Sequence, residues 1–116
     1  MANVIRRGQI WVVNLDPSFG REIHKKRPAI VISNDDINQS TPFVVIVPSS
    51  SIVPKALSPD LIHLGKLPGF DKDSILIPMF IRHIDKNRLV KKIGTLPKVK
   101  LLQLESSLRL VVGLKI

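Results

Sequence analysis

The sequence predicts a mainly β protein with one C-terminal helix, arranged as a small antiparallel barrel or curled sheet with the helix packed on it. Two observations predict this class. Short runs of apolar, β-branched and aromatic residues, separated by turn signals, follow one another through residues 9–84. Residues 95–116 change period and place leucine and valine at helical spacing instead. A chain of 116 residues has the length of one domain, and we expect residues 1–116 to form it.

The strand predictions rest on local composition. The run QIWVVNL is rich in β-branched and aromatic residues and ends in the turn sequence DPSFG. The runs AIVIS and FVVIVP are almost continuously apolar, as expected for strands that are buried on both faces. The predicted strands are Gln9–Leu15, Ala29–Ser33, Phe43–Pro48 and Leu61–Leu64.

Three further segments complete the predicted order of elements. Residues Ser74–Ile84 are extended, but Pro78 has no N–H for a ladder and therefore lies at an edge, at a bulge or between two strands. The sequence SNDDIN is typical of a turn that caps a short helical piece. In the C-terminal helix of about four turns, Thr95 is the predicted cap, Pro97 suits the first turn and Gly113 suits the end.

Charge is the strongest signal in the composition. The chain carries 18 Lys and Arg against 9 Asp and Glu, a formal net charge of +9. This excess attracts polyanions, either nucleic acid or an acidic protein, although it can also serve solubility alone. The chain has no cysteine, which excludes disulfides and thiolate metal sites. Its N-terminus has no apolar run that suits a signal core or a membrane span, so we expect a cytoplasmic protein with no membrane partner.

Metal and cofactor sites are not expected. The acidic residues are scattered, and the adjacent pair Asp35 and Asp36 fits the capping turn described above. The three histidines, His24, His63 and His83, have no metal-ligand spacing. The chain contains no glycine-rich phosphate loop and no predicted βαβ unit, which excludes dinucleotide binding.

One arginine and a serine cluster remain as candidates for chemistry. Arg27 stands at the entrance of the second predicted strand, and Ser49, Ser50 and Ser51 follow the third. Sequential strands are often neighbours, and if these two are antiparallel, Arg27 and the serines lie at one edge. The serines can also be an ordinary strand-end loop without a function.

Arginine and a hydroxyl group suit RNA cleavage without a metal. The 2′-hydroxyl of RNA can attack its own phosphate when one group takes its proton and another protonates the leaving 5′-oxygen. A guanidinium group matches two phosphate oxygens, and a serine hydroxyl can donate to the developing oxyanion or to the leaving group. DNA lacks this internal nucleophile, so such a site would cut RNA only.

Three blocks of sequence carry a family resemblance. The opening RRGQIWVVNLDPSFGREIHKKRPAIVISND is similar to the pattern RGDIYWVDLDP…GSE…RPAVVVSND, VPSSS stands where APITS is common, and IRHIDKNRL is similar to IRTIDKQRL. On these blocks the chain resembles the MazF/PemK-type toxins over essentially its whole length. The resemblance implies a small SH3-like β-barrel, shared with the CcdB toxin, that forms a homodimer.

The resemblance also implies an activity and a partner. The activity is a metal-independent endoribonuclease that cuts single-stranded RNA at a short sequence, leaves a 2′,3′-cyclic phosphate and a 5′-hydroxyl, and inhibits translation and growth. The arginine of the RP pair, Arg27, and the residue aligned with the family threonine, Ser50, are the implied catalytic residues. The implied protein partner is a cognate antitoxin whose acidic, flexible tail occupies the RNA groove.

An RNA-facing surface follows from the same resemblance. The loop of residues 18–26 is expected to lie over the RNA, with Phe19 as the stacking candidate. Phe80 replaces a family glutamine and either fills the core or contacts RNA, whereas Arg82 is retained and suits a phosphate contact. The predicted RNA-binding residues are Phe19, Gly20, Arg21, Glu22, His24, Lys25, Lys26, Ser49, Ser51, Phe80 and Arg82.

A second class of function stays open on the sequence. The same barrel can serve as a non-cleaving, gyrase-poisoning toxin of the CcdB sort, or as a nucleic-acid-binding module that lacks catalysis. The pairing of Arg27 with Ser50 favours cleavage, because binding alone does not require both residues together.

Overall fold

The structure, a computed structural model, describes residues 4–17, 20–21 and 25–115. Short 3₁₀ turns at Pro78–Phe80 and Lys86–Arg88 flank one of the strands. No helix within these described ranges is long and apolar enough to cross a membrane. The elements, in chain order, are β1 (Gln9–Asn14), β2 (Lys26–Val31), α1 (Asp35–Ser40), β3 (Phe43–Ser50), β4 (Ile62–Gly65), β5 (Ser74–Leu76), β6 (Arg82–Asp85), β7 (Leu89–Thr95) and α2 (Lys98–Val112).

The strands form one antiparallel sheet in which β3 has three partners. The order along the sheet is β4-β5-β3-β2-β1-β7, and β6 also pairs with β3. The first half of β3 pairs with β6, and its last two residues pair with β5. Pro78 begins the 3₁₀ turn that separates β5 from β6, so of the three predicted positions for this proline the one between two strands is the position that the structure shows.

The core consists of two apolar clusters that share the central strands. Neighbouring residues of β1 alternate between them: Ile10 belongs to one cluster, and Trp11 belongs to the other. Helix α2 closes the first cluster with Leu104, which is fully buried. Strands that are buried on both faces explain why AIVIS and FVVIVP are almost continuously apolar.

The C-terminal helix confirms one predicted end and corrects the other. Gly113 adopts a left-handed conformation (φ 71°) and donates its N–H to the last carbonyls of α2, as predicted. The prediction that Thr95 caps the helix is wrong, because Thr95 is the last residue of β7 and pairs with Gln9 of β1. Pro97 precedes the first turn instead and supplies no side-chain hydrogen bond.

The predicted short helical piece is α1, and it is tied to the N-terminal segment. The Asn34 side chain accepts a hydrogen bond from the Ile37 N–H at 2.9 Å, which caps the helix. The next residue, Asp35, accepts the Arg7 backbone N–H at 2.7 Å. This hydrogen bond lowers the pKa of the Asp35 carboxyl below its usual value, helped by a hydrogen bond from Asn38.

Two strand boundaries differ from the prediction in a way that matters for function. Strand β2 begins at Lys26 rather than Ala29, because Lys26 and Arg27 pair with Asn14 and Val13 of β1. Strand β3 continues through Ser50, because its end pairs with β5. The arginine and two of the serines therefore belong to strands rather than to loops.

Strand β7 was not predicted. Its sequence LVKKIGT does not alternate cleanly between polar and apolar residues. The pairing of β7 with β1 also shifts register at two places, which breaks the period of two that identifies a strand in sequence.

Candidate active site

An open cavity of about 440 Å³ lies where the start of β2 meets the end of β3. Strand β1 and the segment between β4 and β5 supply the remaining walls. The lining residues are Val12, Lys25, Lys26, Arg27, Pro28, Ser49, Ser50, Ser51, Gly69, Phe70, Asp71, Lys72 and Ser74.

Strand pairing brings Arg27 and Ser50 to the same place. Strands β2 and β3 are antiparallel, and the last pair of the ladder toward this end is Ala29 with Pro48. The same register continued by two residues places Arg27 opposite Ser50. Side chains directly opposite each other in an antiparallel pair share one face, with Cβ atoms about 5 Å apart. The Arg27 Nη1 atom also lies 3.5 Å from the Ser49 carbonyl oxygen, so the guanidinium group extends toward the end of β3.

Hydrogen bonds distinguish the three serines. The Ser49 hydroxyl donates to the Pro28 carbonyl at 2.6 Å, so its proton is used in joining β2 to β3. The Ser50 hydroxyl accepts the Ile52 N–H at 3.1 Å, and a hydroxyl that accepts one hydrogen bond can still donate its own proton. Ser51 is exposed beyond the end of β3. Of the three, Ser50 is therefore best placed to donate to a ligand beside Arg27.

The base of the loop between β1 and β2 is held by hydrogen bonds. The Asp16 carboxylate accepts the Lys25 N–H at 2.9 Å, and the Lys25 carbonyl accepts the Leu15 N–H at 3.0 Å. The Arg88 guanidinium donates to the backbone carbonyls of Asn14 and Asp16. These contacts hold Lys25 in a left-handed conformation (φ 72°) that is strained for a residue other than glycine. The chain thus enters β2 in a defined direction, two residues before Arg27.

The cavity is cationic. Of the described residues that line it, four are basic, namely Lys25, Lys26, Arg27 and Lys72, and one is acidic, Asp71. All of these side chains are exposed except that of Arg27, which is half-buried. A concave surface with this charge favours a phosphate-bearing ligand. Solvent and salt screen the charge of the half-buried Arg27 less than they screen the charges of the exposed lysines.

The structure brings together six of the residues predicted from sequence. These are Lys25, Lys26, Arg27, Ser49, Ser50 and Ser51, all of which line the cavity. Gly20 and Arg21 are exposed in a turn and do not line it. The predictions for Phe19, Glu22 and His24 lie outside the described residues.

The structure places Phe80 and Arg82 away from the cavity lining. Phe80 ends the 3₁₀ turn and is 37% exposed, which corrects the alternative that it fills the core. Arg82 is half-buried in β6, opposite Ile46 of β3. Their spacing of two residues would place both side chains on one face of a continuous strand, but the turn ends at Phe80 and β6 begins only at Arg82. Their contacts with RNA stay predictions.

The sequence reasoning missed one wall of the cavity. This wall lies between β4 and β5, in a segment to which the sequence assigned no element and no site residue, and it consists of Gly69, Phe70, Asp71 and Lys72. The available signal was the mixture of glycine, acid and base in GFDKD immediately before a strand. That signal becomes meaningful only once β5 is known to pair with Ser49 and Ser50.

Comparison with known proteins agrees with the geometry. A model of the family described as PemK-like, MazF-like toxin of type II toxin-antitoxin system matches residues 6–112. The protein named Endoribonuclease MazF from Staphylococcus epidermidis is 32% identical over 112 residues, which cover 96% of this chain and 93% of that protein.

Solved structures show the same fold. MazF from Deinococcus radiodurans superposes with a TM-score of 0.85 at 23% identity, over 97% of this chain and all of that one. An endoribonuclease from a mycobacterial species, solved in complex with its cognate antitoxin, has a TM-score of 0.76 at 20% identity and covers 99% of each chain. The predicted fold, mainly β with a C-terminal helix, is confirmed. The chain belongs to the PemK-like, MazF-like endoribonuclease toxins of type II toxin-antitoxin systems.

Proposed function

We propose that this toxin cleaves single-stranded RNA without a metal ion, and that Arg27 and Ser50 are its catalytic residues. One observation carries the proposal: both residues line one cationic cavity, where the register of β2 and β3, continued two residues past its last pair, brings them opposite each other. Binding a polyanion requires positive charge only. Phosphoryl transfer also requires groups that stabilise the charge of the transition state. Arg27, the least exposed of the described cations of the cavity, and the hydroxyl of Ser50 can do this together.

In the proposed reaction, the RNA supplies its own nucleophile. The 2′-oxygen forms a bond to the adjacent phosphorus as its proton passes to a general base, and the bond from phosphorus to the 5′-oxygen breaks. The leaving oxygen takes up a proton, so the products carry a 2′,3′-cyclic phosphate and a 5′-hydroxyl.

The two protein groups act on the phosphoryl oxygens. The Arg27 guanidinium binds two of them and stabilises the negative charge that grows in the transition state. The Ser50 hydroxyl donates a further hydrogen bond to the same group. Lys25, Lys26 and Lys72 bind neighbouring phosphates and raise the local concentration of RNA.

The protein partner we propose is a cognate antitoxin with an acidic tail. A structural neighbour was solved in complex with its cognate antitoxin, and the cationic cavity of this chain suits an acidic peptide as well as RNA. Carboxylates that bind Arg27 and the lysines would exclude RNA from the same surface. We propose that the toxin acts in the cytoplasm, where it would meet both RNA and an antitoxin.

We also propose a homodimer, formed through the outer face of α2. Val99, Leu102 and Leu110 lie on that face and are 66%, 54% and 62% exposed. Together with Pro59 and Leu61 they line a second cavity of about 600 Å³, and none of the described residues that line it is charged. Two copies that each carry +9 repel each other, so an uncharged apolar strip is where they can associate. An acidic partner would instead select the basic surfaces.

Cleavage in the presence of a chelator tests the proposal. A long single-stranded transcript is incubated with the protein in excess EDTA, beside Arg27→Ala and the control Arg6→Ala. Arg6 is exposed and lies next to Asp35, beyond the opposite end of β2. The control substitution therefore removes one positive charge, as Arg27→Ala does, but at a site away from the cavity. We expect cleavage by the wild type and by Arg6→Ala, and none by Arg27→Ala. If the wild type cleaves none of the transcripts tested, the result would instead favour a non-cleaving toxin or a binding module.

A further inference from the structure

The segment between β4 and β5 forms a wall of the cavity that is held firmly by the core. Phe70 is 5% exposed and belongs to the first apolar cluster, and its N–H donates to the Leu67 carbonyl at 2.9 Å. Gly69 has a φ of +89°, and a Cβ at this position would lie 3.2 Å from the Ile93 Cβ. The backbone before Asp71 is therefore fixed at two successive residues: Gly69 has a conformation that favours glycine, and Phe70 is packed in the core.

Among the described residues, Asp71 is the one acidic residue that lines the cavity, and its carboxylate is not used by the fold. Asp73, two residues further, accepts from His63 at 2.7 Å and does not line the cavity. Asp71 makes no hydrogen bond or ion pair with any other residue in the described ranges. This holds although Lys72, Lys25, Lys26 and Arg27 line the same cavity.

A carboxylate in this position repels the phosphates of a bound RNA. The RNA can offset this repulsion only if it donates hydrogen bonds to the carboxylate. A carboxylate has acceptors only. The phosphates and the sugar oxygens of RNA offer it few donors, whereas the bases offer N–H groups on their Watson–Crick edges, which single-stranded RNA exposes. Guanine presents two adjacent donors, N1–H and the N2 amino group, which match the two oxygens of one carboxylate.

We propose that Asp71 is a specificity-determining residue that accepts hydrogen bonds from a guanine next to the cleaved phosphate. The inference rests on the proposed endoribonuclease activity and assigns a role that Arg27 and Ser50 cannot fill, because both act on the phosphate. A cavity of about 440 Å³ has room for one base beside that phosphate. Of the apolar lining residues, Val12 and Pro28 are half-buried and provide a surface against which a base can pack.

Mapping cleavage sites in a complex transcript tests this role. The 5′-ends of the products are sequenced for the wild type, Asp71→Asn and the control Asp73→Asn. The two variants remove the same charge from the same segment, but only Asp71 lines the cavity. We expect the wild type to prefer guanine at one position next to the cut, by about tenfold or more over other bases. Asp71→Asn should lose that preference while it still cleaves, and Asp73→Asn should keep it.

Each other result overturns the inference. If Asp71→Asn cleaves the same sites as the wild type, the carboxylate does not read a base, although the proposed activity stands. If Asp71→Asn slows cleavage equally at all sites and keeps the preference, Asp71 acts on the reaction rather than on specificity. If the wild type cleaves no RNA, the proposed function fails first and the inference with it.

Discussion

Replacing Ser49 and Ser50 one at a time should separate folding stability from turnover, because the two hydroxyls make different hydrogen bonds. Ser49→Ala leaves the Pro28 carbonyl without its donor at 2.6 Å. Losing a partner for a largely buried polar group costs about 1–3 kcal/mol in the free energy of unfolding. For a domain of this length, each kcal/mol corresponds to about 4 °C in melting temperature. We therefore expect Ser49→Ala to melt about 4–12 °C below the wild type.

Ser50→Ala should show the reverse balance. It removes one acceptor for the Ile52 N–H, beside the open cavity where water can replace it, and this costs about 1 kcal/mol or less. Loss of a hydrogen-bond donor to a developing oxyanion, in contrast, lowers turnover by about 100-fold to 1,000-fold. The expected signature is a nearly unchanged melting temperature with a large loss of turnover.

The assay pairs thermal unfolding with single-turnover cleavage of a fluorescent RNA at saturating enzyme. At saturating enzyme, all of the RNA is bound, so the measured rate constant reports the chemical step and does not change when RNA binding is weaker. The reasoning is refuted if Ser49→Ala loses as much turnover as Ser50→Ala, or if Ser50→Ala cleaves at the wild-type rate. Either result would assign the catalytic hydroxyl to another residue.

Three further predictions concern stability and assembly. Because the hydrogen bond from the Arg7 N–H lowers the pKa of the Asp35 carboxyl in the folded state, the stabilising effect of this bond is present above pH 3.8, the usual pKa of the group, and is lost as pH falls through the folded pKa. In urea titrations, Asp35→Asn should therefore be less stable than the wild type at pH 6, and a difference that did not shrink below pH 3.8 would contradict this assignment. Gly69→Ala should lower the melting temperature more than Gly65→Ala, because both have positive φ but only Gly69 would bring a Cβ against Ile93; equal losses would count against the packing argument. Leu102→Glu should yield a folded monomer of 13.0 kDa by light scattering, whereas a dimer would place the interface on another surface.

The order of elements could be predicted from sequence where a single residue marks a boundary. Pro78 cannot donate to a ladder, and it does separate β5 from β6. Gly113 adopts the left-handed conformation that ends α2. Thr95 failed as a cap because its pairing with Gln9 is set by a strand more than eighty residues earlier in the chain. Local capping preference is weaker than the hydrogen bonds and packing that such a pairing provides.

The part of the candidate site that lies on two sequential strands could be predicted from the sequence. Arg27 and Ser50 lie on two strands that follow each other in the chain with only the short helix α1 between them, so the tendency of sequential strands to pair predicted that they lie at one edge. Gly69 and Asp71 could not be placed in the same way. Their position depends on the pairing of β5 with the end of β3, which is a contact between distant parts of the chain.

The identity of the nucleophile depends on a single atom of the substrate, the 2′-oxygen on the 5′ side of the cut. Once the cleaved position is known, two RNA oligonucleotides are compared, one all-ribose and one with a single 2′-deoxy sugar on the 5′ side of the cut. In EDTA, the account predicts that the first is cleaved to a 2′,3′-cyclic phosphate and a 5′-hydroxyl, and that the second binds with similar affinity but stays intact. Cleavage of the 2′-deoxy oligonucleotide at the same position would contradict the account, because water would then be the nucleophile.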